Sequence, residues 1–159
     1  MLDAGTFKIV VESTPLVSLD LCLVSKGQVL MGLRQNEPFR GQWFTSRGRL
    51  LKNERWQDVL VSIEKTELGL TVESGDFELM GVRDHFYENS AINESISTQY
   101  VNLPHVSFLE SEPELSFDPQ HESVRWFDVA SIIRDTGHQV YMREYASWTD
   151  KNSNAGLGR

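Results

Sequence analysis

Between Glu54 and Leu68 the apolar residues Trp56, Val59, Leu60 and Ile63 recur at i, i+3, i+4 and i+7, and Gly69 follows where a helix would close. The spacing predicts one amphipathic helix with a single apolar face. Upstream, Leu16 to Val24 alternates and is rich in Leu and Val, Ser25-Lys26-Gly27 supplies a turn, and Gln28 to Arg34 resumes the pattern, which predicts a β-hairpin.

The remaining elements follow from the same reading. Asp3 to Glu12 fits a short amphipathic helix closed by Ser13, Thr14 and Pro15. Pro38 and Gly41 mark Gln35 to Gln42 as a loop, with a short strand after it at Trp43 and Phe44. Phe77 to Tyr87 and Thr98 to Leu109 are β-rich, separated by a polar loop with Asn89, Ser90, Asn93 and Ser95, and Pro104 predicts an edge or a bulge in the second. Glu110 to Pro119 is acidic and broken by proline, Ser123 to Asp128 reads as a strand, and Val129 to Ser147 as helix interrupted near Thr136-Gly137. The expected organisation is one domain over residues 1–148 and a polar tail over 149–159 that frays.

Composition narrows the function classes. Cys22 is the only cysteine, so no intrachain disulfide can form, and a reducing cytoplasm fits best. Lys8 and Glu12 interrupt the apolar stretch of the N-terminus, and no run approaches membrane-spanning length, so the expectation is a soluble, cytoplasmic protein with no membrane partner. Fifteen basic against twenty-three acidic residues give a net charge of −8, which argues against nucleic acid as a partner. The average hides a contrast: from Arg34 to Arg55 six basic residues face two acidic ones, a local +4, while the rest carries nine against twenty-one, or −12. A compact cationic stretch of this kind suits one small phosphorylated ligand.

On a straight helix at 100° per residue Glu67 falls about 20° from Trp56, in the middle of the apolar stripe. It also sits in the last turn, where the helix dipole disfavours a negative charge. Either the stripe has left the core by then, an arginine pairs with Glu67, or the acid is held for chemistry. Gly48, Glu54 and Glu67-Leu68-Gly69-Leu70 reproduce the spacing of the Nudix box, while Ser62, Ile63, Glu64 and Thr66 depart from its arginine, glutamate, aliphatic and glutamate positions. Across Phe7 to Ser147 the chain resembles the GDP-mannose mannosyl hydrolase branch of that family. The resemblance rests on Ser13-Thr14-Pro15-Leu16-Val17-Ser18-Leu19-Asp20, Gly41-Gln42-Trp43-Phe44, Glu67-Leu68-Gly69-Leu70, His85-Phe86-Tyr87, and Gln120-His121 ahead of Arg125-Trp126.

The resemblance implies an α/β/α sandwich around a mixed β-sheet, a single domain, and homodimers as are common among these relatives. It implies hydrolysis of a nucleotide sugar, GDP-mannose or GDP-glucose, to free sugar and GDP by inverting attack of water at the anomeric carbon. The implied cofactor is Mg²⁺, with Mn²⁺ as the alternative, held by Glu67, the side-chain oxygen of Gln120 and the backbone carbonyl of Arg47. His121 matches the general base, Arg34 and Arg49 match arginines that neutralise the diphosphate, Tyr100 matches a leaving-group contact, and Asp20 and His85 match residues near the sugar. The family has Gly-Gly where this chain has Arg47-Gly48, so Arg47 would strain the loop if the first glycine needs positive φ. The family's helix arginine is Ser62 here, which removes one phosphate contact unless Arg47 or Arg55 compensates. A pyrophosphatase acting on another nucleoside diphosphate derivative, and a catalytically impaired nucleotide-sugar binder, stay open as alternatives.

Overall fold

The computed structural model describes residues 2–35, 39–70, 76–90, 92, 95–113 and 124–156. Its centre is β1 (Leu16–Ser25), a strand whose successive side chains point to opposite faces. Leu19, Leu21 and Leu23 join one core with Val59, Leu60, Ile63 and Leu68, while Cys22 and Val24 join another with Met31, Phe44, Val106, Ile132, Met142 and Tyr145. A strand buried on both faces has to be covered by helices on both sides. The result is the expected α/β/α sandwich around a mixed sheet.

Strand β7 (Thr98–Leu109) runs parallel to β1 along its whole length, from Leu16↔Tyr100 to Ser25↔Leu109. The other edge of β1 is shared. Its end pairs antiparallel with β2 (Gln28–Leu33) through the Lys26-Gly27 turn, whose φ values of 51° and 75° suit a tight hairpin. Its first half pairs with β4 (Ser46–Arg49), with Asp20 opposite Arg47. Between these two partners β2 leaves β1 to pair with β3 (Trp43–Phe44) and β8 (Val124–Asp128). That divergence opens a cleft in the sheet.

Phe77 to Tyr87 is not one strand but β5 (Glu78–Leu79) and β6 (Arg83–Tyr87), both antiparallel to β7 and separated at Gly81, whose φ is 93°. Pro104 stands opposite that break, in an interior strand rather than at an edge, so its missing N–H falls where neither β5 nor β6 pairs. Helix α1 (Ala4–Ser13) is capped by Asp3, whose carboxylate accepts from Thr6 N at 2.9 Å. Helices α3 (Val129–Arg134) and α4 (Val140–Gly156) break where Thr136-Gly137 predicts. Where the sequence predicts a fraying tail after Trp148, α4 continues to Gly156, with Thr149 buried and Asn152 donating to Trp148 O at 2.7 Å; residues 157–159 of that tail lie outside the described residues. No helix among the described residues is long and apolar enough to cross a membrane.

The central helix departs most from its prediction. Regular α-helix, α2, covers only Trp56–Ser62, and Ile63–Glu67 forms a π-helical turn. Leu68 N bonds Ile63 O at 3.1 Å across five residues, and Leu70 N closes on Glu64 O at 2.8 Å over Gly69, whose φ is 61°. The wider turn changes which side chains face the sheet. Val59, Leu60, Ile63, Glu64 and Leu68 are buried, and Glu67 is exposed. The acid on the buried face is therefore Glu64, at 1 % exposure, and not Glu67.

Candidate active site

The cleft between β2 and β4 is a cavity of about 190 Å³. It brings together three of the expected residues, Arg34 at the end of β2, Arg47 on β4 and Glu67 on the π turn, with Gln35, Thr45 and Ser46 as polar neighbours. Burial, with Arg47 beside it, holds the Arg34 guanidinium below its ordinary pKa, while Asp20 pulls the other way. Arginine suits oxyanions in general because its planar guanidinium can donate to two oxygens at once. A larger hollow of about 400 Å³ lies around the Lys26-Gly27 turn and Asp128, and it is lined by none of the expected site residues.

Asp20 and His85 lie elsewhere, fully buried on the α4 side of the sheet. The Arg47 guanidinium closes over them. Its Nε donates to Asp20 Oδ1 at 2.6 Å, Nη2 donates to Asp20 Oδ2 at 3.0 Å and to His85 Nδ1 at 2.9 Å, and Nη1 donates to Tyr87 Oη at 3.0 Å. Tyr145 Oη donates to Asp20 Oδ2 at 2.6 Å and stands 3.0 Å from Asn102 Oδ1. The aromatic rings of Phe44, Tyr87 and Tyr100 surround the guanidinium, with Tyr100 at 5.2 Å. Burial alone would weaken the Arg47 charge, but the Asp20 carboxylate outweighs it and holds the pKa well above the ordinary value. Arg47 takes a regular strand conformation, so it carries no positive-φ strain. Its departure from Gly-Gly is felt in the side chain instead, which fills the space in front of Asp20.

Because His85 Nδ1 accepts from Arg47, its proton belongs on Nε2, 3.3 Å from Tyr145 Oη. The ring stacks on Tyr141 at 3.7 Å. Burial, reinforced by Arg47 and opposed by Asp20, pushes this imidazole down to about 4, so it is neutral at pH 7. A histidine in the unfolded chain titrates near 6.5, so on acidification the unfolded state binds the proton first. Stability is full above about pH 6.5 and falls towards pH 4, by about 3 kcal/mol from this group at roughly 1.4 kcal/mol per pKa unit. Urea unfolding at pH 7 and pH 4.5 checks it: His85→Gln is expected to lose much less of its stability over that interval than the native chain.

Arg49 points away from the cavity. Its guanidinium lies 4.3 Å from the Phe7 ring centroid and lines an apolar groove of about 240 Å³ under α1 with Leu2, Val10 and Leu51. Gln120 and His121 lie outside the described residues. Glu54 holds the loop before α2, accepting from Leu51 N at 2.8 Å. Among the described residues no group of three or more His, Cys, Asp or Glu side chains could hold a metal ion. At the positions where the Nudix box has its other glutamates, Ile63 is in the core and Thr66 donates back to Ser62 O at 2.7 Å. The sequence reading did not reveal Tyr87, Asn102, Tyr141 and Tyr145 around Asp20. The signal was faint: Asp20 is a lone acid in an apolar strand.

The mixed-sheet sandwich thus has its cleft where the sheet splits, beside the π turn that Gly69 closes. No family model matches the chain. It is 36 % identical over 121 residues, 75 % of its length and 74 % of the relative's, to the low-salt glycan biosynthesis protein Agl8 of Haloferax volcanii. Its fold is similar to a MutT protein from Methanosarcina mazei Go1, with TM-score 0.64, 16 % identity, and coverage of 89 % of this chain and 97 % of that one. The NUDIX domain of Shewanella oneidensis NrtR, crystallised with ADP ribose, gives TM-score 0.61 at 15 % identity over 96 % of this chain and 99 % of that one. The MutT NUDIX hydrolase of Burkholderia pseudomallei gives 0.60 at 22 % identity over 74 % and 86 %. The chain belongs to the Nudix hydrolase family.

Proposed function

We propose that the protein hydrolyses a GDP-sugar, GDP-mannose or GDP-glucose, to GDP and free sugar. The observation that carries this is the reduced acid set: among the described residues lining the cavity Glu67 is the only carboxylate, Arg34 lines it as well, and Ile63 is packed in the core. Attack on phosphorus in this family leans on several helix carboxylates. Attack at the anomeric carbon asks for less, because only the leaving diphosphate needs its charge neutralised. A hard divalent ion such as Mg²⁺ or Mn²⁺ fits that donor set, since it takes oxygen ligands, keeps waters and leans on substrate phosphates. Glu67, the Gln120 side-chain oxygen and the Arg47 backbone carbonyl would hold it, and it would supply stabilisation of the charge on departing GDP.

The chain's own residues do the rest. His121 takes a proton from the attacking water, the bond between the anomeric carbon and the β-phosphate oxygen breaks, and the sugar leaves with inverted configuration. Arg34 binds the diphosphate; Arg49 joins it only by leaving the Phe7 ring. Tyr100 serves the leaving group.

A second reading, a nucleotide-sugar binder with impaired catalysis, is favoured by the closure of Arg47 over Asp20 and His85, the two residues otherwise assigned to the sugar. Product identity decides. Incubation of the protein with GDP-mannose and Mg²⁺ is expected to yield mannose and GDP. Mannose 1-phosphate and GMP would mean a pyrophosphatase, and binding without products would mean the impaired binder.

A further inference from the structure

The polar groups around Asp20 are gathered at a cost that stability does not explain. Asp20, His85, Asn102 and Tyr145 are all fully buried, and Asn102 reaches on to Ser18 Oγ at 2.7 Å. Apolar side chains of similar volume often serve a core as well or better. What makes the arrangement tolerable is the single Arg47 guanidinium, which donates to Asp20, His85 and Tyr87. Arg47 is also the link to the cleft. It lines the cavity together with Phe44, whose ring lies 5.3 Å from the guanidinium and 6.1 Å from the Tyr145 ring. The cavity itself, at about 190 Å³, is smaller than the roughly 300–1,000 Å³ usual for a whole ligand, so it has room for only part of a nucleotide sugar.

We propose that the Arg47 side chain is a specificity-determining gate: its guanidinium occupies a chamber that takes a hydroxylated ring, the hexose of a nucleotide sugar, and the ring enters when Arg47 withdraws. This rests on reading the neighbouring cavity as the diphosphate site. The walls of the chamber select that ligand class. Asp20 and His85 Nδ1 accept hydrogen bonds, Tyr145 Oη donates, and Tyr87 Oη can do either. A sugar hydroxyl both donates and accepts, so it can replace each bond that Arg47 makes. Phe44, Tyr87 and Tyr100, which surround the guanidinium, offer apolar faces to the C–H groups of a ring. While the gate is closed the ring must break the Asp20 ion pair to enter, and that cost is subtracted from the sugar's affinity. Removing the gate leaves the diphosphate contacts in place and adds those of the sugar.

The test compares GDP-mannose with GDP by calorimetry in metal-free buffer, with melting curves for each variant, because the ratio of the two affinities isolates the share of the sugar. In the native chain GDP-mannose is expected to bind within about threefold of GDP. Arg47→Ala is expected to melt earlier, to hold GDP within about threefold of native, and to bind GDP-mannose at least about tenfold more tightly than GDP. A side chain that serves stability alone would lower the melting point without raising that ratio. Adding Asp20→Asn to Arg47→Ala is expected to remove most of the gain, since a charged acceptor bonds a hydroxyl more strongly than a neutral one. A folded Arg47→Ala with the native ratio would overturn the inference, as would a double variant that keeps the whole gain or a native chain that already binds GDP-mannose about tenfold more tightly than GDP. If Arg47→Ala does not fold, Arg47→Lys decides: an ammonium lacks the planar fork that holds Asp20, His85 and Tyr87 together, so a ratio no higher than native overturns the gate. Native protein that binds neither ligand would sink the diphosphate reading and the gate together, whereas an unchanged ratio in protein that binds GDP sinks the gate alone.

Discussion

Glu67→Gln is expected to lower sugar release from GDP-mannose by about 10³-fold while changing stability by less than about 0.5 kcal/mol. The two expectations come from the same observation. Glu67 is exposed on the π turn yet lines the same cavity as Arg34, so the substitution removes a charge at the site without opening the core. Among the described residues that line the cavity Glu67 is the only carboxylate, so none of them can replace its charge at an ion. The loss should therefore fall on kcat, with a raised requirement for Mg²⁺, rather than on GDP binding in metal-free buffer. Steady-state assays across a Mg²⁺ series, beside urea unfolding of both proteins, check it. Activity within about threefold of native would remove Glu67 from the site.

Most of the sandwich was legible because its signals are local. Alternation in Leu16–Arg34, the Lys26-Gly27 turn, the stripe from Trp56 to Ile63 and Gly69 each specify their own element, and the structure has all of them. What was not legible depends on partners distant in sequence. Ser46-Arg47-Gly48-Arg49 carries no strand pattern and becomes β4 only because β1 offers it half an edge. The π turn cannot be read from a 100° wheel, which assumes that every residue advances equally; one wide turn moves Glu64 inward and Glu67 outward. The cationic stretch from Arg34 to Arg55 was visible as a count, but its geometry was not. Of its arginines, Arg34 and Arg47 line the cleft and Arg49 packs on Phe7, a division set by where the sheet splits.

The box glycine gives the second large effect. Gly48 is an ordinary strand residue without positive φ, so its need for hydrogen in place of a side chain is a matter of distance. A Cβ there would stand 3.0 Å from Val59 Cγ1 and 3.3 Å from Ile63 Cγ1 and Cδ1. Both neighbours are buried in the core beneath the central helix, where little can give way. Gly48→Ala forces a shift of a few tenths of an ångström; Gly48→Val adds two methyl groups to the same contact and is expected to cost about 3 kcal/mol. The strain has one easy outlet, displacement of α2 and the π turn away from β4. That movement would carry Glu67 away from Arg34, so sugar release should fall by about 10²-fold even at temperatures where Gly48→Val remains folded. Urea unfolding and activity measured well below the melting transition separate the two effects. Gly48→Val with native stability would mean that β4 and the helix are not in the close contact that seats the candidate site.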